Sequence, residues 1–230
     1  MSELIIFGAG DIAEIAYYYF THDSEHTVAG FVVDKEYRKG DNFLSLPLID
    51  FEVAVKLYPP EKYKMFIALS YAKMNKIRAE KFYKAKELDY QLVSYLSSRC
   101  SYLTDNPIGE NCFILEDNTI QPFVKIGNNV TLWSGNHIGH HSVIEDHCFI
   151  SSHVVVSGHV HINKYCFIGV NVSLHNAIRI APETLIGAGS VITADTVEKS
   201  VYVPPRTTLL RKKSDDIEFF SLIERFSYKP

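Results

Sequence analysis

Residues 108–132 read IGENCFILEDNTIQPFVKIGNNVTL and begin a six-residue period that continues to residue 192. A branched aliphatic side chain recurs at every sixth position, fifteen times without exception. Neither the 3.6-residue period of a helix nor the alternation of a strand produces this spacing. Hexapeptide repeats predict a parallel β-helix, whose stacked coils enclose an apolar ladder. The ladder consists of Ile108, Ile114, Ile120, Ile126, Leu132, Ile138, Ile144, Ile150, Val156, Ile162, Ile168, Leu174, Ile180, Ile186 and Ile192.

Three cysteines share one phase of the repeat, four residues after the aliphatic position. Cys112, Cys148 and Cys166 are separated by whole multiples of three hexads. If three hexads form one coil, all three thiols point inward from the same face, and the fifteen hexads form about five coils. Small apolar core filling is the favoured role, because free cysteine packs as a small hydrophobe and the chain has no CxxC motif.

The sequence divides into two domains and a tail. Alternating strands and helices in residues 1–104 predict a Rossmann-like α/β domain with a parallel sheet. Residues 105–203 carry the β-helix. Residues 204–230 form a tail, in which Asp215 to Glu218 resembles a helix start and predicts a helix that caps the solenoid. The predicted N-terminal elements are strands Leu4–Phe7, Val28–Val33, Met65–Leu69 and Gln91–Tyr95 and a helix over Lys73–Leu88.

Composition excludes several classes of function. The net charge of -4 argues against nucleic acid as the main partner, since phosphate-binding surfaces need a basic excess. No apolar run reaches the roughly 18 residues that span a bilayer. The first residues lack a basic segment and a small-residue cleavage site, so no signal peptide is predicted and a cytoplasmic location is expected.

A glycine-rich turn near the N-terminus indicates a phosphate-binding loop. The pattern Gly8-x-Gly10-x-x-Ala13 follows a predicted strand and precedes a helix, whose N-terminus favours negative charge. Asp34 ends the next strand and suits a ribose or base contact. Because only half of a dinucleotide-binding fold is present, a single nucleotide diphosphate is expected; a tight turn without a ligand is the alternative.

Eight of the ten histidines lie between residues 137 and 175, and none occupies an inward position of the hexad. His140 precedes Gly158 by three hexads, or one coil, so Gly158 should stack over it. An imidazole that accepts a proton near pH 7, beside a backbone N–H that can bind an oxyanion, suits acyl transfer. A zinc site is the less favoured reading, because three or four ligands must converge on one point.

At these residues the chain resembles a known family, the bacterial sugar acyltransferases of the sialic-acid O-acetyltransferase type. This family includes N-acetyltransferases that act on UDP- or dTDP-linked 4-amino-sugars. The resemblance covers about residues 3–205. Its most specific segments are Phe7-Gly8-Ala9-Gly10, Phe66-Ile67-Ala68-Leu69-Ser70, Asn136-His137-Ile138-Gly139-His140-His141, Ser157-Gly158 and Ile186-Gly187-Ala188-Gly189.

The resemblance implies a left-handed β-helix, a homotrimer with active sites between subunits, acetyl-CoA as acyl donor, a nucleotide-sugar substrate and no metal. It implies a role in lipopolysaccharide or capsule biosynthesis. The family's base falls on His140 and its oxyanion N–H on Gly158. The other implied contacts are Gly169, Val170, Asn171, Gly187 and Ala188 for CoA, and Gly8, Gly10, Asp11, Asp34, Lys35 and Ser70 for the nucleotide.

Two departures from the family pattern affect the proposed roles. Relatives often have Glu after the base, where this chain has His141, so the orienting role passes to His141, to another acid such as Glu145 or Asp146, or to no residue. Asp11 stands where relatives often have a neutral residue. Its carboxylate would repel a nearby diphosphate unless the side chain points away. The alternative functions are a sugar O-acetyltransferase, a zinc-dependent β-helix hydratase and a non-enzymatic scaffold.

Overall fold

The computed structural model describes residues 3–209, 211 and 213–216. It confirms the predicted fold class, an α/β domain followed by a left-handed parallel β-helix. The predicted capping helix lies outside the described residues, apart from a 3-10 turn at Ser214–Asp216. Within the described part of the chain, no helix has the length and apolar character needed to cross a membrane.

The N-terminal domain is built on a five-stranded sheet of order β3-β4-β2-β1-β5, in which only β3 is antiparallel. Two apolar clusters cover its two faces. The elements are β1 (Glu3–Phe7), α1 (Asp11–His22), β2 (Thr27–Val33), a 3-10 turn (Lys35–Tyr37), β3 (Asn42–Phe43), β4 (Leu46–Asp50), α2 (Phe51–Leu57), β5 (Tyr63–Ile67) and α3 (Lys76–Glu87).

The β-helix is a three-sided prism of two-residue parallel strands, here called its first, second and third faces. The first face contains β6 (Tyr95–Leu96), β8 (Phe113–Ile114), β11 (Thr131–Leu132), β14 (Phe149–Ile150), β17 (Phe167–Ile168), β20 (Leu185–Ile186) and β22 (Val201–Tyr202). The second contains β7 (Ser101–Tyr102), β9 (Thr119–Ile120), β12 (His137–Ile138), β15 (Val155–Val156), β18 (Ser173–Leu174) and β21 (Val191–Ile192). The third contains β10 (Lys125–Ile126), β13 (Val143–Ile144), β16 (His161–Ile162) and β19 (Arg179–Ile180). Since β6 and β7 precede residue 105, the first coil begins inside the segment assigned from sequence to the N-terminal domain.

Three hexads form one coil of the prism, as the cysteine spacing predicts. Strands pair with the strand one coil away, as in Ile138 with Val156 and Ile150 with Ile168. The aliphatic ladder lies inside the prism together with Cys112, Cys148 and Cys166, all fully buried as predicted. Burial of apolar surface therefore favours one register, because a shift by one residue would turn the ladder outward.

One turn position in almost every hexad has a left-handed backbone conformation. It lies three residues after the aliphatic position and includes His141, His147, His153 and His159, with φ between 58° and 62°. Asn, Asp and His tolerate this conformation better than most residues. The repeated turn thus accounts for four of the clustered histidines being at this phase.

Helix α3 packs the N-terminal domain against the first face through a buried arginine. Arg78 is 2% exposed, and its guanidinium donates to Thr131 Oγ1 at 2.7 Å and to the carbonyl oxygens of Asn129 and Cys148 at 3.2 Å. Burial lowers the pKa of Arg78 to about 10. Because a buried cation without hydrogen bonds is very unfavourable, these acceptors fix where α3 can dock.

The inward-facing positions of the hexad predict that truncating a buried valine lowers the free energy of unfolding far more than truncating an exposed one. Val172 is fully buried inside the prism, whereas Val197 is 66% exposed near its last coil. Val172→Ala removes two buried carbons and leaves a cavity, so we expect the free energy of unfolding to fall by about 2 kcal/mol. Val197→Ala should change it by less than about 0.5 kcal/mol. Urea denaturation followed by circular dichroism measures both; equal losses would contradict the assignment of the core.

Candidate active site

A cavity of about 490 Å³ lies where the carboxyl ends of β1, β2 and β5 meet the N-terminus of α1. Ligands commonly bind at this edge of a parallel sheet. The lining combines aromatic, aliphatic and charged side chains with a glycine turn. It consists of Phe7, Gly8, Ala9, Gly10, Val33, Asp34, Tyr37, Lys39, Asn42, Phe43, Leu48, Leu69, Ile77 and Lys81.

The glycine turn brings backbone into this cavity. Gly8 has φ +133°, and a Cβ atom there would lie 2.7 Å from the carbonyl oxygen of Ala68, so a side chain is excluded. Gly10 precedes α1 and has open space where a Cβ atom would be. An anionic group can therefore approach the first N–H groups of the helix closely.

Asp34 and Lys81 form an ion pair in the wall of the cavity. The Lys81 ammonium lies 2.9 Å from Oδ1 and 2.8 Å from Oδ2 of Asp34, and 5.8 Å from the centre of the Phe7 ring. Burial opposes the charge on Lys81, but the hydrogen bond and charge of Asp34 outweigh it and raise its pKa. The cavity therefore contains a fixed cation beside a carboxylate.

Three of the six residues predicted to contact the nucleotide line this cavity, and the other three do not. Gly8, Gly10 and Asp34 line the cavity. The remaining three are exposed and are not among its lining residues: Asp11 at the start of α1, Lys35 in the 3-10 turn and Ser70 after β5.

Sequence reasoning missed several other lining residues. The short β3–β4 hairpin carries Asn42 and Phe43, and two-residue strands leave no periodic signal. Lys81 lies on α3, where a lysine ordinarily suggests a solvated helix face. Of the Lys81–Asp34 pair, only Asp34, at the end of a strand, gave a usable signal.

A second cavity of about 350 Å³ lies between the N-terminal domain and the edge of the prism where the first face turns into the second. Gly169, Val170 and Ala188, predicted to contact CoA, line it; Asn171 and Gly187 adjoin these residues in sequence but are not in its lining. The walls are mostly apolar and aromatic. The other lining residues are Ile12, Tyr71, Trp133, Phe149, Ser151, Ser152 and Phe167.

His140 and Gly158 stack at the edge between the second and third faces, as their spacing of one coil predicts. A Cβ atom on Gly158 would lie 2.7 Å from Cε1 and 2.8 Å from Nε2 of His140. The imidazole therefore occupies the space that a side chain at residue 158 would need. Among the described residues, the N–H of Gly158 has no hydrogen-bond partner.

The other ring nitrogen of His140 faces His141. Their Nδ1 atoms are 3.0 Å apart, and the backbone N–H of His140 donates to Gln121 Oε1 at 2.9 Å. The two acids considered as alternatives are bound elsewhere. Glu145 Oε1 lies 2.7 Å from His161 Nε2, and Asp146 Oδ1 accepts from the N–H of Asn128.

His141 is held near two other imidazoles. Its ring stacks on that of His159 at 4.8 Å and contacts the Phe123 ring at 4.6 Å. Desolvation, followed by the repulsion of His159 and His140, lowers the pKa of His141. At neutral pH His141 is therefore uncharged and can accept a hydrogen bond from the Nδ1–H of His140.

The second cavity and His140 lie at different edges of the prism. The second cavity lies at the edge after the first face, while His140 lies at the edge after the second face. The full width of the second face separates these edges.

His147 lies outside the prism, as its phase predicts, but is buried beneath α3 with 1% exposure. Its Nδ1 accepts from Asn129 Nδ2 and its Nε2 contacts the Tyr83 hydroxyl, each at 2.9 Å. Asn129 in turn bonds Asn111, which bonds the backbone of Ile67. Burial lowers the pKa of His147 to about 4, so this polar chain contains a neutral imidazole.

Residues 108–140 and 123–158 match the protein family described as Bacterial transferase hexapeptide (six repeats). The two matches overlap over residues 123–140, which end at His140. Residues 108–158 of the prism therefore match the hexapeptide repeats of bacterial transferases.

Several solved structures share this two-part fold. A mutant of perosamine N-acetyltransferase from Caulobacter crescentus, in complex with CoA and GDP-perosamine, superposes with a TM-score of 0.78 at 18% identity, over 89% of this chain and 94% of that chain. The acetyltransferase domain of PglB from Neisseria gonorrhoeae FA1090, in complex with acetyl coenzyme A, superposes with a TM-score of 0.76 at 18% identity, over 88% of this chain and 96% of that chain. WeeI from Acinetobacter baumannii AYE superposes with a TM-score of 0.76 at 16% identity, over 89% of this chain and 97% of that chain. The resemblance to hexapeptide-repeat sugar acyltransferases is confirmed, and at these identities it establishes the fold.

The neutral state of His147 predicts a pH dependence of stability. Between pH 6.5, where an unfolded histidine titrates, and about pH 4, the unfolded chain binds a proton that folded His147 does not. This residue therefore lowers the free energy of unfolding as the pH falls through that range. We expect His147→Asn, which tolerates the left-handed turn, to make the decline between pH 7 and pH 4.5 shallower in urea titrations.

His153→Asn is the matched control, since His153 has the same backbone conformation but is exposed. Its slope with pH should equal that of the parent chain. An unchanged slope in His147→Asn would show that His147 titrates normally.

Proposed function

We propose that this protein is an acetyl-CoA-dependent N-acetyltransferase acting on a nucleotide-linked amino-deoxysugar. The observation that carries the proposal is the His140 imidazole packed on Gly158, whose N–H is unpaired among the described residues. Together they supply a base and an oxyanion donor at one point on the prism. The fold supports this choice, since perosamine N-acetyltransferase has it in complex with CoA and GDP-perosamine.

The N-terminal cavity is the proposed site of the nucleotide sugar. The turn from Gly8 to Gly10 and the N-terminus of α1 would hold the diphosphate, and Lys81 adds a cation. Tyr37 and Phe43 offer aromatic surface for a base. UDP and dTDP are the expected nucleotides from the family resemblance, and the Caulobacter relative adds GDP as a third.

Acetyl-CoA is the proposed occupant of the second cavity. Its apolar and aromatic walls suit the extended thiol arm, and Gly169 and Ala188 leave the edge of the prism open. Because acetyl-CoA and nucleotide sugars are cytosolic metabolites, the proposed reaction belongs to the cytoplasm, upstream of surface glycan assembly.

The chemistry is direct transfer of the acetyl group. The sugar amine attacks the thioester carbonyl as Nε2 of His140 accepts its proton, and the Gly158 N–H donates to the oxyanion that forms. Collapse of this tetrahedral intermediate breaks the C–S bond, and the imidazolium returns the proton to the departing CoA thiolate. Neutral His141 would accept the Nδ1–H of His140 and so keep Nε2 free to act as the base.

We further propose a homotrimer. In one chain the second cavity and His140 lie at different edges of the prism. Prisms packed around a three-fold axis would bring the His140 edge of one subunit to the cavity edge of the next. Closed cyclic symmetry satisfies this pairing for every subunit.

The first test is CoA release over a panel of UDP-, dTDP- and GDP-linked amino sugars. We expect one acceptor to be preferred, and His140→Ala to lower kcat about 100-fold or more with a modest change in KM, because a base acts mainly in the transition state. His153→Asn is the control and should keep parental kcat. Acetylation only of sugars without an amine would favour the O-acetyltransferase alternative, and full activity of His140→Ala would remove the base assignment.

The second test concerns His141. Replacing it with Glu puts a carboxylate beside the base and stabilises the imidazolium, so the acid limb of kcat/KM should move to higher pH by about one unit. Glu183 already occupies the equivalent turn with φ +55°, so the backbone accepts this residue. His141→Asn adds no charge and should show no upward shift. A limb that stays in place in His141→Glu would show that residue 141 does not contact the base during catalysis.

A further inference from the structure

Three exposed histidines converge at the edge between the second and third faces. His140, His141 and His159 each offer a ring nitrogen, and these nitrogens all lie within 4.8 Å of one another. The rings of His140 and His159 meet edge to face with their centroids 5.1 Å apart. The first two residues belong to the proposed catalytic edge, whereas His159 reaches that edge only through its contacts with the His140 and His141 rings.

The coil geometry holds these imidazoles together. His141 and His159 occupy the same left-handed turn position in consecutive coils, which stacks their rings at 4.8 Å with 13° between the planes. His140 precedes His141 and places its Nδ1 3.0 Å from that of its neighbour. The backbone positions are therefore fixed by the repeat, and only the exposed side chains remain free to rotate.

This spacing is close to what a tetrahedral metal requires. With Zn–N bonds of 2.0–2.1 Å, ligand nitrogens lie about 3.4 Å apart. The His140–His141 pair is already near that separation, and rotation of exposed rings can bring the His159 nitrogen closer by the remaining ångström or so. Three imidazoles without a carboxylate favour zinc and similar transition metals over magnesium or calcium, and solvent supplies the fourth ligand.

We propose that His140, His141 and His159 form a zinc site that reversibly inhibits this protein by capturing its base. The inhibition, but not the binding, rests on the proposed function. When the Nδ1 of a neutral imidazole binds a metal, its single N–H lies on Nε2. Zinc held by the Nδ1 of His140 would thus leave a proton on Nε2, the nitrogen beside Gly158, so it could not accept one from the sugar amine.

Binding is tested on the full, tag-free chain after treatment with a chelator. Zn²⁺ is titrated in competition with a chromogenic chelator, and Co²⁺ absorption in the visible range reports a tetrahedral environment. We expect one equivalent of Zn²⁺ per chain. His159→Asn should weaken binding at least tenfold, roughly the minimum seen when even outer ligand partners are lost. The same change at His153, which shares the turn conformation but lies outside the cluster, should leave affinity unchanged.

Inhibition is tested separately by CoA release with the preferred acceptor. Zn²⁺ should inhibit the parent chain and EDTA should restore its activity, whereas Zn²⁺ should leave the activity of His159→Asn at the level that this variant shows without zinc. Absent binding, or equal affinity in parent and His159→Asn, overturns the site. Tight binding with undiminished activity overturns base capture alone. If no acceptor is acetylated, the proposed function fails, while the chelator competition still decides the zinc site.

Discussion

The hydrogen bonds between successive coils are the interaction on which the structure depends. Each strand donates to and accepts from the strand one coil away, as in Gly139 N–H to the carbonyl of Val156. The aliphatic ladder holds this register, since any slip would expose it. Residues one coil apart must therefore stack, and this rule alone puts Gly158 on His140 and His159 on His141. The proposed catalytic edge is a consequence of the same spacing that buries the core.

The N-terminal domain is joined to this rigid prism through polar contacts at well-defined positions. Arg78 inserts a cation among backbone carbonyls of the first face, and the chain from Ile67 through Asn111 and Asn129 to His147 runs beside it. Hydrogen bonds of this kind require specific geometry, unlike apolar contact. The second cavity, which has walls from both domains, thus has its shape set by where α3 docks.

The sequence allowed the prism to be predicted almost completely, because its period is regular and each position has one environment. The α/β domain was less predictable. The strand β4 and helix α2 were missed. In the site, spacing predicted the stacking at His140, whereas the Lys81–Asp34 pair depends on contacts between distant elements. The burial of His147 depends on α3 docking, which no local pattern encodes.

The left-handed turns also bear on how such a protein can change over generations. Within the described chain this turn position carries asparagine, aspartate, histidine, tyrosine, phenylalanine, alanine, glutamate and glycine. Where the turn is exposed, the coils on either side hold its backbone, so the identity of the side chain there is only weakly tied to folding. A lineage can therefore exchange the residue that follows the proposed base, His140, without first acquiring compensating changes in the core. Exposed residues at the edge of the solenoid can therefore vary, because the buried interior maintains the fold.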